Sequence, residues 1–322
     1  MSRAEVGDVD GNYGLSSECF PRVAICFAAF NGMRWIEEQL NSILAQSSAD
    51  VTVFVSVDKS SDGTEQWVDR RAATDRRIVV LPHGERFGGA GRNFFRLLRD
   101  VDFSGFDYVG FADQDDYWFE TKLARAHEML QQTGADAYSS NVIAFWPSGR
   151  RLLIDKSQPQ KKWDFLFEAA GPGCTYVMKS AFACALKTRI CEQWEVMQRV
   201  SLHDWFAYAF ARAHGYRWII DEQPGMLYRQ HAGNQVGVNE GWQALLRRAH
   251  KIWDGWWLGQ AVLIARLVGM GEDPFVRSWR APSRLAALKL AFRAVECRRR
   301  TRDQLLFALS CLTLVIAGSR HE

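Results

Sequence analysis

Short apolar runs alternate with helical patterns through the first third of the chain. Val23-Ala24-Ile25-Cys26-Phe27 is an unbroken apolar run that stops at the turn signal Asn31-Gly32, which predicts a buried strand. Ile36, Leu40, Ile43 and Leu44 follow at i, i+4, i+7 and i+8, the spacing of one helix face. Val51 to Val57 is rich in β-branched residues and predicts a second strand. A helix is expected from Asp62, since Asp62 and Glu65 have capping-box spacing. Arg77 to Leu81 predicts a third strand. The Gly-rich loop Phe87-Gly88-Gly89-Ala90-Gly91 then leads into a helix carrying Asn93 and Leu97. Tyr108 to Ala112 predicts a fourth strand, closed by Asp113-Gln114-Asp115-Asp116.

Strands alternating with helices predict an α/β domain whose mostly parallel sheet is covered on both faces. Ligands of such sheets bind beyond the carboxyl ends of the strands. Asn31, Asp58, the Gly-rich loop and the Asp cluster all fall at those ends. The second half is less regular. A strand is expected within Ala137 to Phe145, a loop at Gly171-Pro172-Gly173 and an apolar stretch through Met178. His203-Asp204-Trp205 opens a helix that ends at Gly215, and Trp218 to Ile220 is a short strand. Residues 1–20 form a polar leader without periodicity, and the chain beyond residue 240 reads as helical.

Composition narrows the class. With 322 residues, 48% hydrophobic and 24% charged, the chain is neither disordered nor of low complexity. Thirteen Trp and 20 Phe exceed what packing usually needs, a hint of sugar or membrane-surface binding. The net charge of +3 is uneven: residues 241–322 carry +8 and the rest carries −5. Arg293, Arg298, Arg299, Arg300 and Arg302 precede the apolar stretch Leu305 to Ala317, a pattern that suits a helix lying on an anionic membrane surface. Packing of that helix on the body or on a second copy of the chain is the alternative. No run reaches the roughly 18 apolar residues a membrane span requires. Seven Cys without metal-type spacing, and no secretory signal, predict reduced, mostly buried thiols in a cytoplasmic protein. Nucleic acid is not an expected partner, because the sheet-end site is acidic and the basic residues border an apolar segment.

The chemistry concentrates in the acidic cluster. On extended backbone, residues i and i+2 point the same way, so Asp113 and Asp115 can face one pocket. Clustered carboxylates suit a hard divalent cation, Mg²⁺ or Mn²⁺, bridging to a diphosphate. The Gly-rich loop matches neither GxGxxG nor GxxxxGK[ST] and is expected to shape a pocket.

These segments resemble family 2 glycosyltransferases. Cys26-Phe27-Ala28-Ala29-Phe30-Asn31-Gly32 is similar to their first-strand loop, and Ser56-Val57-Asp58-Lys59-Ser60-Ser61-Asp62-Gly63-Thr64 to their S-D-D-G-S-x-D-G-T segment. Phe111-Ala112-Asp113-Gln114-Asp115-Asp116-Tyr117-Trp118 resembles the F-x-D-Q-D-D-x-W of the rhamnosyltransferase-like branch. Asp204-Trp205 and Tyr228-Arg229-Gln230-His231-Ala232-Gly233-Asn234-Gln235-Val236-Gly237 resemble its later D-W and Y-R-Q-H-x-x-N-x-x-G motifs. The matches run in family order over residues 22–237. Two departures, Val57 for Asp and Arg86 for Asn, sit near the expected nucleotide base and leave base preference open.

The resemblance implies a GT-A (nucleotide-diphospho-sugar transferase) fold over residues 21–238, with residues 239–322 as a helical C-terminal extension. It implies inverting, metal-dependent transfer of a sugar from a nucleotide-sugar donor, with L-rhamnose from dTDP-L-rhamnose as the expected case. The acceptor would be a saccharide or polyprenyl-linked saccharide of cell-surface polysaccharide synthesis, reached at the inner face of the cytoplasmic membrane. A UDP-hexose donor and a non-catalytic scaffold are the alternatives, and a homo-oligomer is compatible with either. Ala29, Asn31 and Asp58 would contact the nucleotide, with Asn93 and Arg229 also on the donor side. Asp113 would contact ribose or metal, Asp115 and His231 would ligate the metal, and Asp204 would be the general base. Some assignments stay open on the residues alone: Asp204 also suits a helix N-cap, Asn93 a cap, Asp62 a cap rather than a ligand, and His231 a structural role.

Overall fold

The computed structural model describes residues 20–84, 86–231, 256–281 and 283–317. The expected leader, and residues 232–237 of the last motif, therefore lie outside the described residues.

Seven strands form the main sheet: β1 (Arg22–Ala29), β2 (Asp50–Val57), β3 (Ile78–Val80), β4 (Tyr108–Asp113), β6 (Ala137–Ser140), β9 (Val177–Lys179) and β10 (Trp218–Asp221). Their order is β10-β6-β9-β4-β1-β2-β3. All pairings are parallel except those of β9, which runs antiparallel between β4 and β6. A smaller sheet, in the order β5-β11-β7-β8, joins β5 (Tyr117–Trp118), β7 (Val142–Phe145), β8 (Arg151–Ile154) and β11 (Met226–Arg229). The expected single strand over Ala137–Phe145 is thus two strands in different sheets. Asn141 makes the break: its side-chain amide donates to the Glu222 carbonyl (2.9 Å) and accepts the Lys156 N–H (2.5 Å). The second sheet was not legible from pattern because its strands are two to four residues long.

The period-2 alternation of β1 decides what covers each face. Ala24, Cys26 and Ala28 join a core with Phe94, Phe111 and Phe206, while Val23, Ile25, Phe27 and Ala29 join one with Ile36, Leu40 and Val68. Helices α1 (Ile36–Leu44), α2 (Thr64–Thr74) and α4 (Lys122–Thr133) supply the second core. Helices α3 (Ala90–Asp100), α5 (Ser180–Glu192) and α7 (His203–Ala213) supply the first, and the short α6 (Trp194–Met197) adds Met197. Helix α2 begins one residue later than capping-box spacing suggests. Gly63 holds the cap position at φ 92°, and Asp62 Oδ1 accepts from the Thr64 N–H (3.1 Å) and hydroxyl (2.6 Å). Asp62 is therefore a capping residue of the β2–α2 loop.

The C-terminal extension joins the body. Helices Trp256–Leu267, Pro274–Arg277, Arg284–Phe292, Ala294–Cys297 and Thr301–Ala317 place Ala261, Ile264, Trp279 and Phe307 in the same core as α3 and α7. Trp163 stacks on Phe275 (4.5 Å), and Phe167 meets Trp279 and Phe307, each at 5.1 Å. Much of the aromatic surplus is this cement. The basic segment is divided, against the expectation of one membrane-facing patch. Arg299 is fully buried, donating to the Ala169 (2.7 Å) and Ala170 (3.2 Å) carbonyls beside Asp164 (3.5 Å) and Glu168 (3.7 Å). Arg298 donates to the Phe167 carbonyl (3.0 Å) and lies 3.7 Å from Glu168, and Arg293 pairs with Glu296 (2.7 Å). Four of the six described cysteines are buried and all six are free thiols. Among the described residues no helix is long and apolar enough to cross a membrane.

Candidate active site

One cavity of about 1260 Å³ opens at the carboxyl ends of β1, β2 and β4. It is lined by Ala29, Asn31, Asp58, Asn93, Asp113 and Asp115 on one side, and by Gly173, His203, Asp204 and His231 elsewhere. The parallel registers bring the first set together: Ala28 pairs with Asp113 and Ala29 with Val57. Arg86, one of the two departures from the family pattern, also lines it.

The residues expected on the donor side mostly tie the loops that frame the cavity. Asp58 is buried. Its two carboxylate oxygens accept the Phe87 (2.9 Å) and Gly88 (2.8 Å) N–H groups, which fixes the Gly-rich loop. Asn31 sits at φ 46°, a region Asn tolerates, and its side-chain carbonyl accepts the Ser61 N–H (2.8 Å). Asn93 is no helix cap. Its buried amide donates to the Ser56 carbonyl (2.9 Å) and accepts from the Ser56 hydroxyl, so it bolts α3 to β2. Gln114, which the sequence reading gave no role, pairs with Phe30 as a strand would, accepting its N–H and donating to its carbonyl, both at 2.8 Å. A Cβ on Gly32 would stand 2.3 Å from Gln114 Oε1, so this bridge explains the Gly of the Asn-Gly turn. The only signal for Gln114 was its place inside the acidic motif.

Asp113 ends β4, Gln114 and Asp115 form the turn that follows, and Asp113 and Asp115 both line the cavity. Burial, with Asp115 and Asp204 adding repulsion, pushes Asp113 up to about 8. Asp115 Oδ2 lies 2.6 Å from His231 Nε2, and the His231 ring lies 4.1 Å from Trp35. Arg229 is not among the cavity-lining residues. Its Nε donates to the Asp115 carbonyl (2.8 Å), its guanidinium pairs with Glu38, and its backbone N–H donates to Asp116 Oδ1 (3.1 Å). Asp116 turns away and is fully buried, and burial holds its pKa far above the usual carboxylate range. Beneath it Lys122 donates to the Cys174 carbonyl (3.0 Å) and lies 3.1 Å from the centre of the Trp118 ring; burial lowers its pKa to about 7.

Two donor sets could be asked to hold a cation. Ligand atoms of Asp113, Asp116 and Cys174 lie within 4.8 Å of one another, but a buried protonated thiol is foreign to Mg²⁺ or Mn²⁺. Asp113, Asp115 and His231 line the same cavity and offer oxygen and nitrogen donors of the kind a divalent ion takes, but among the described residues their ligand atoms are not gathered as those of Asp113, Asp116 and Cys174 are.

Asp204 lines the same cavity from the first turn of α7. Leu202 holds the cap position, so Asp204 is not the N-cap; its Oδ1 accepts the Trp205 N–H (2.8 Å). Burial raises it to about 6 against the pull of the Trp205 and Gly173 N–H groups and of Lys156. Its neighbour His203 stacks on Phe94 (3.9 Å), and burial lowers its pKa to about 3, so the ring is neutral. A Cβ on Gly173 would stand 2.6 Å from His203 Nε2 and 3.1 Å from Asp204 Cβ. Glycine there is what lets the loop approach the helix. His203 was legible only as Asp204's neighbour, and Lys156 left no pattern at all.

Comparison with known proteins bears on the family and the fold. The family model described as "Glycosyl transferase family 2" matches residues 24–180. The dTDP-rhamnosyl transferase RfbG of Shigella flexneri is 42% identical over 283 residues, covering 88% of this chain and 97% of the relative. The putative teichuronic acid biosynthesis glycosyltransferase TuaG of Bacillus subtilis (strain 168) is 29% identical over 143 residues, 44% of this chain and 52% of that one. Among solved structures, S. aureus TarS 1-349 in complex with UDP-GlcNAc superposes with a TM-score of 0.53 at 14% identity, over 94% of this chain and 93% of that one.

Proposed function

This chain belongs to glycosyl transferase family 2, in its rhamnosyltransferase-like branch, with a GT-A fold, and we propose that it transfers L-rhamnose from dTDP-L-rhamnose to a saccharide hydroxyl with inversion. The observation that carries the proposal is one cavity lined by Asp204 together with Asp113, Asp115 and His231. An inverting displacement needs that division of labour, a base for the acceptor and charge neutralisation for the leaving group. The 42% identity to RfbG over nearly its whole length supports the donor.

The acceptor oxygen attacks the anomeric carbon, its proton passes to the Asp204 carboxylate, and the bond from that carbon to the diphosphate oxygen breaks. Asp204 is suited to the proton because burial lifts it to about 6, closer to neutrality than an ordinary carboxylate. Asp113, Asp115 and His231 would hold Mg²⁺ or Mn²⁺, which supplies charge neutralisation at the departing diphosphate. The Asp58-anchored Gly-rich loop and the Gln114–Phe30 bridge keep the donor side rigid.

The acceptor is a growing surface polysaccharide, lipid-linked and met at an anionic membrane. The exposed stripe Leu305, Leu309 and Leu312, with Phe292 and Leu285 on the adjoining helix and the exposed cations Arg284 and Lys289, supports this. Flotation with anionic vesicles tests it: wild type floats at low salt, and Leu305→Glu with Leu309→Glu does not. Flotation of neither protein ends the membrane part of the proposal.

Thermal stability against dTDP, dTDP-rhamnose and UDP-sugars, with and without Mn²⁺, tests the donor. A metal-dependent rise with the dTDP species supports the proposal. A rise with UDP species alone transfers it to a UDP-hexose, and no rise with any nucleotide leaves a scaffold role.

A further inference from the structure

The loop from Phe167 to Gly173 reaches Asp204, and much of what holds it comes from the C-terminal extension. Gly173 closes on the candidate base: a Cβ there would stand 3.1 Å from Asp204 Cβ, and its N–H pulls on the Asp204 carboxylate. Upstream, the carbonyls of Phe167, Ala169 and Ala170 accept from no backbone N–H among the described residues. Their donors are arginines some 130 residues later in the chain. Arg298 donates to Phe167 (3.0 Å), and Arg299 donates to Ala169 (2.7 Å) and Ala170 (3.2 Å). The backbone N–H of Arg299 adds a bond to Glu168 Oε1 (2.7 Å) in the same loop. Phe167 and Ala170 are buried, so without these donors their carbonyls lose hydrogen bonds where water does not replace them.

A single hydroxyl ties this loop to the helix of the base. Tyr176 is fully buried. Its oxygen accepts the Ala170 N–H (3.1 Å), and its O–H lies 3.3 Å from both the Gly171 and the Asp204 carbonyls. Phe111 stacks on the ring (6.2 Å) and Trp218 meets it edge-on (4.7 Å), contacts that do not depend on the hydroxyl. The ionisable groups that face Asp204 are Asp113 at the end of β4, Lys156 after β8, Tyr176 itself and the neutral His203. Arg298 and Arg299 bond to the loop and not to Asp204.

We propose that Arg298, Arg299 and Tyr176 are positioning residues, which clamp residues 167–173 against α7 and so keep the Asp204 carboxyl buried and fixed at the cavity. This rests on the reading of Asp204 as the base of a glycosyl transfer. By this route the C-terminal extension acts on the reaction through the loop it holds.

The test is a set of double-mutant cycles on the full chain. Asp204→Asn is made in wild type and in the Arg298→Ala, Arg299→Lys and Tyr176→Phe backgrounds, and urea melts at pH 8 read the midpoint. Arg298 is only partly buried, Lys keeps the charge beside Asp164 and Glu168 but not the fork that spans two carbonyls, and Phe keeps the Tyr176 ring. The rise in midpoint on Asp204→Asn is expected to be at most half as large in each background as in wild type, because a loosened loop lets water reach the carboxyl. With dTDP-rhamnose as donor and water as acceptor, kcat for dTDP release is expected to fall about tenfold or more and KM to change less than twofold. The acid limb of kcat/KM is expected to move to lower pH. Amide hydrogen exchange at residues 171–175 and 203–205, expected to quicken about tenfold in each background, reads the clamp without any ligand. Unchanged exchange there overturns the proposal whatever the melts show. An equal rise in midpoint in all backgrounds, with the acid limb unmoved, overturns it too and leaves the three residues as stabilisers of the fold. Faster exchange and coupling in the cycles, together with wild-type dTDP release by Asp204→Asn, end the base assignment and keep the clamp.

Discussion

Replacing Asp204 by Asn should make the protein more stable and nearly inactive at once. A carboxyl held at about 6 instead of 3.8 means that ionising it in the fold costs up to ~3 kcal/mol more than ionising it in the unfolded chain. The sign follows from the raised value. The cost is complete above pH 6, shrinks as pH falls from 6 towards 3.8, and is absent below that. At pH 8 wild type carries the whole ~3 kcal/mol, and at pH 5 about half of it. Asn keeps the volume and can still accept the Trp205 N–H that Asp204 Oδ1 holds at 2.8 Å, so it removes the charge and little else. It gives back about 0.3–1 kcal/mol for losing a negative charge in the first turn of α7. Urea melts should therefore place Asp204→Asn about 2–3 kcal/mol above wild type at pH 8, with the gap about halved at pH 5. The transfer rate should fall about 10²–10⁴-fold, the usual contribution of a positioned base. In wild type, kcat/KM should fall as pH drops below about 6, a value that burial of Asp204 raises against the pull of the Trp205 and Gly173 N–H groups and of Lys156. A variant that is no more stable at pH 8 and turns over at the wild-type rate would refute both the burial argument and the assignment of the base.

Other outcomes follow from the same geometry. Asp115→Ala should abolish the Mn²⁺-dependent part of the thermal shift with dTDP and leave the fold intact, since its partner His231 is also packed against Trp35. Arg299→Met should cost about 3–5 kcal/mol by urea midpoint, because it leaves Asp164 and Glu168 short of a buried counter-charge. Gly173→Ala should cost about 1–3 kcal/mol and at least tenfold in kcat, as the new methyl meets His203, which Phe94 holds from the other face. Gln114→Ala should raise the donor KM with little change in kcat, because it frees Phe30 at the end of β1.

The alternation of β1–β4 with α1–α3 and the position of the acidic cluster can be read from the chain alone. These follow from local pattern: an apolar run of period 2 can bury both faces only inside a covered sheet, and parallel connections then collect the loops at one end. The motifs over Cys26–Gly32, Ser56–Thr64 and Phe111–Trp118 named the family because their order along the chain is itself a one-dimensional fact. How each polar side chain is used depends instead on which segments the fold brings together. Asp58, Asn31 and Asn93 bind backbone across gaps of 29–64 residues, and Arg229 braces Asp115 from 114 residues away. The basic tail is the sharpest case. In sequence, Arg298, Arg299, Arg300 and Arg302 are one charge run; in the fold, the first two neutralise buried carboxylates and the last two reach the cavity. No local pattern separates them, because the separation depends on Glu168 and Asp164, more than 120 residues earlier in the chain. Charge along a chain is local information, whereas the partner that makes a charge structural or available is set only when distant segments meet.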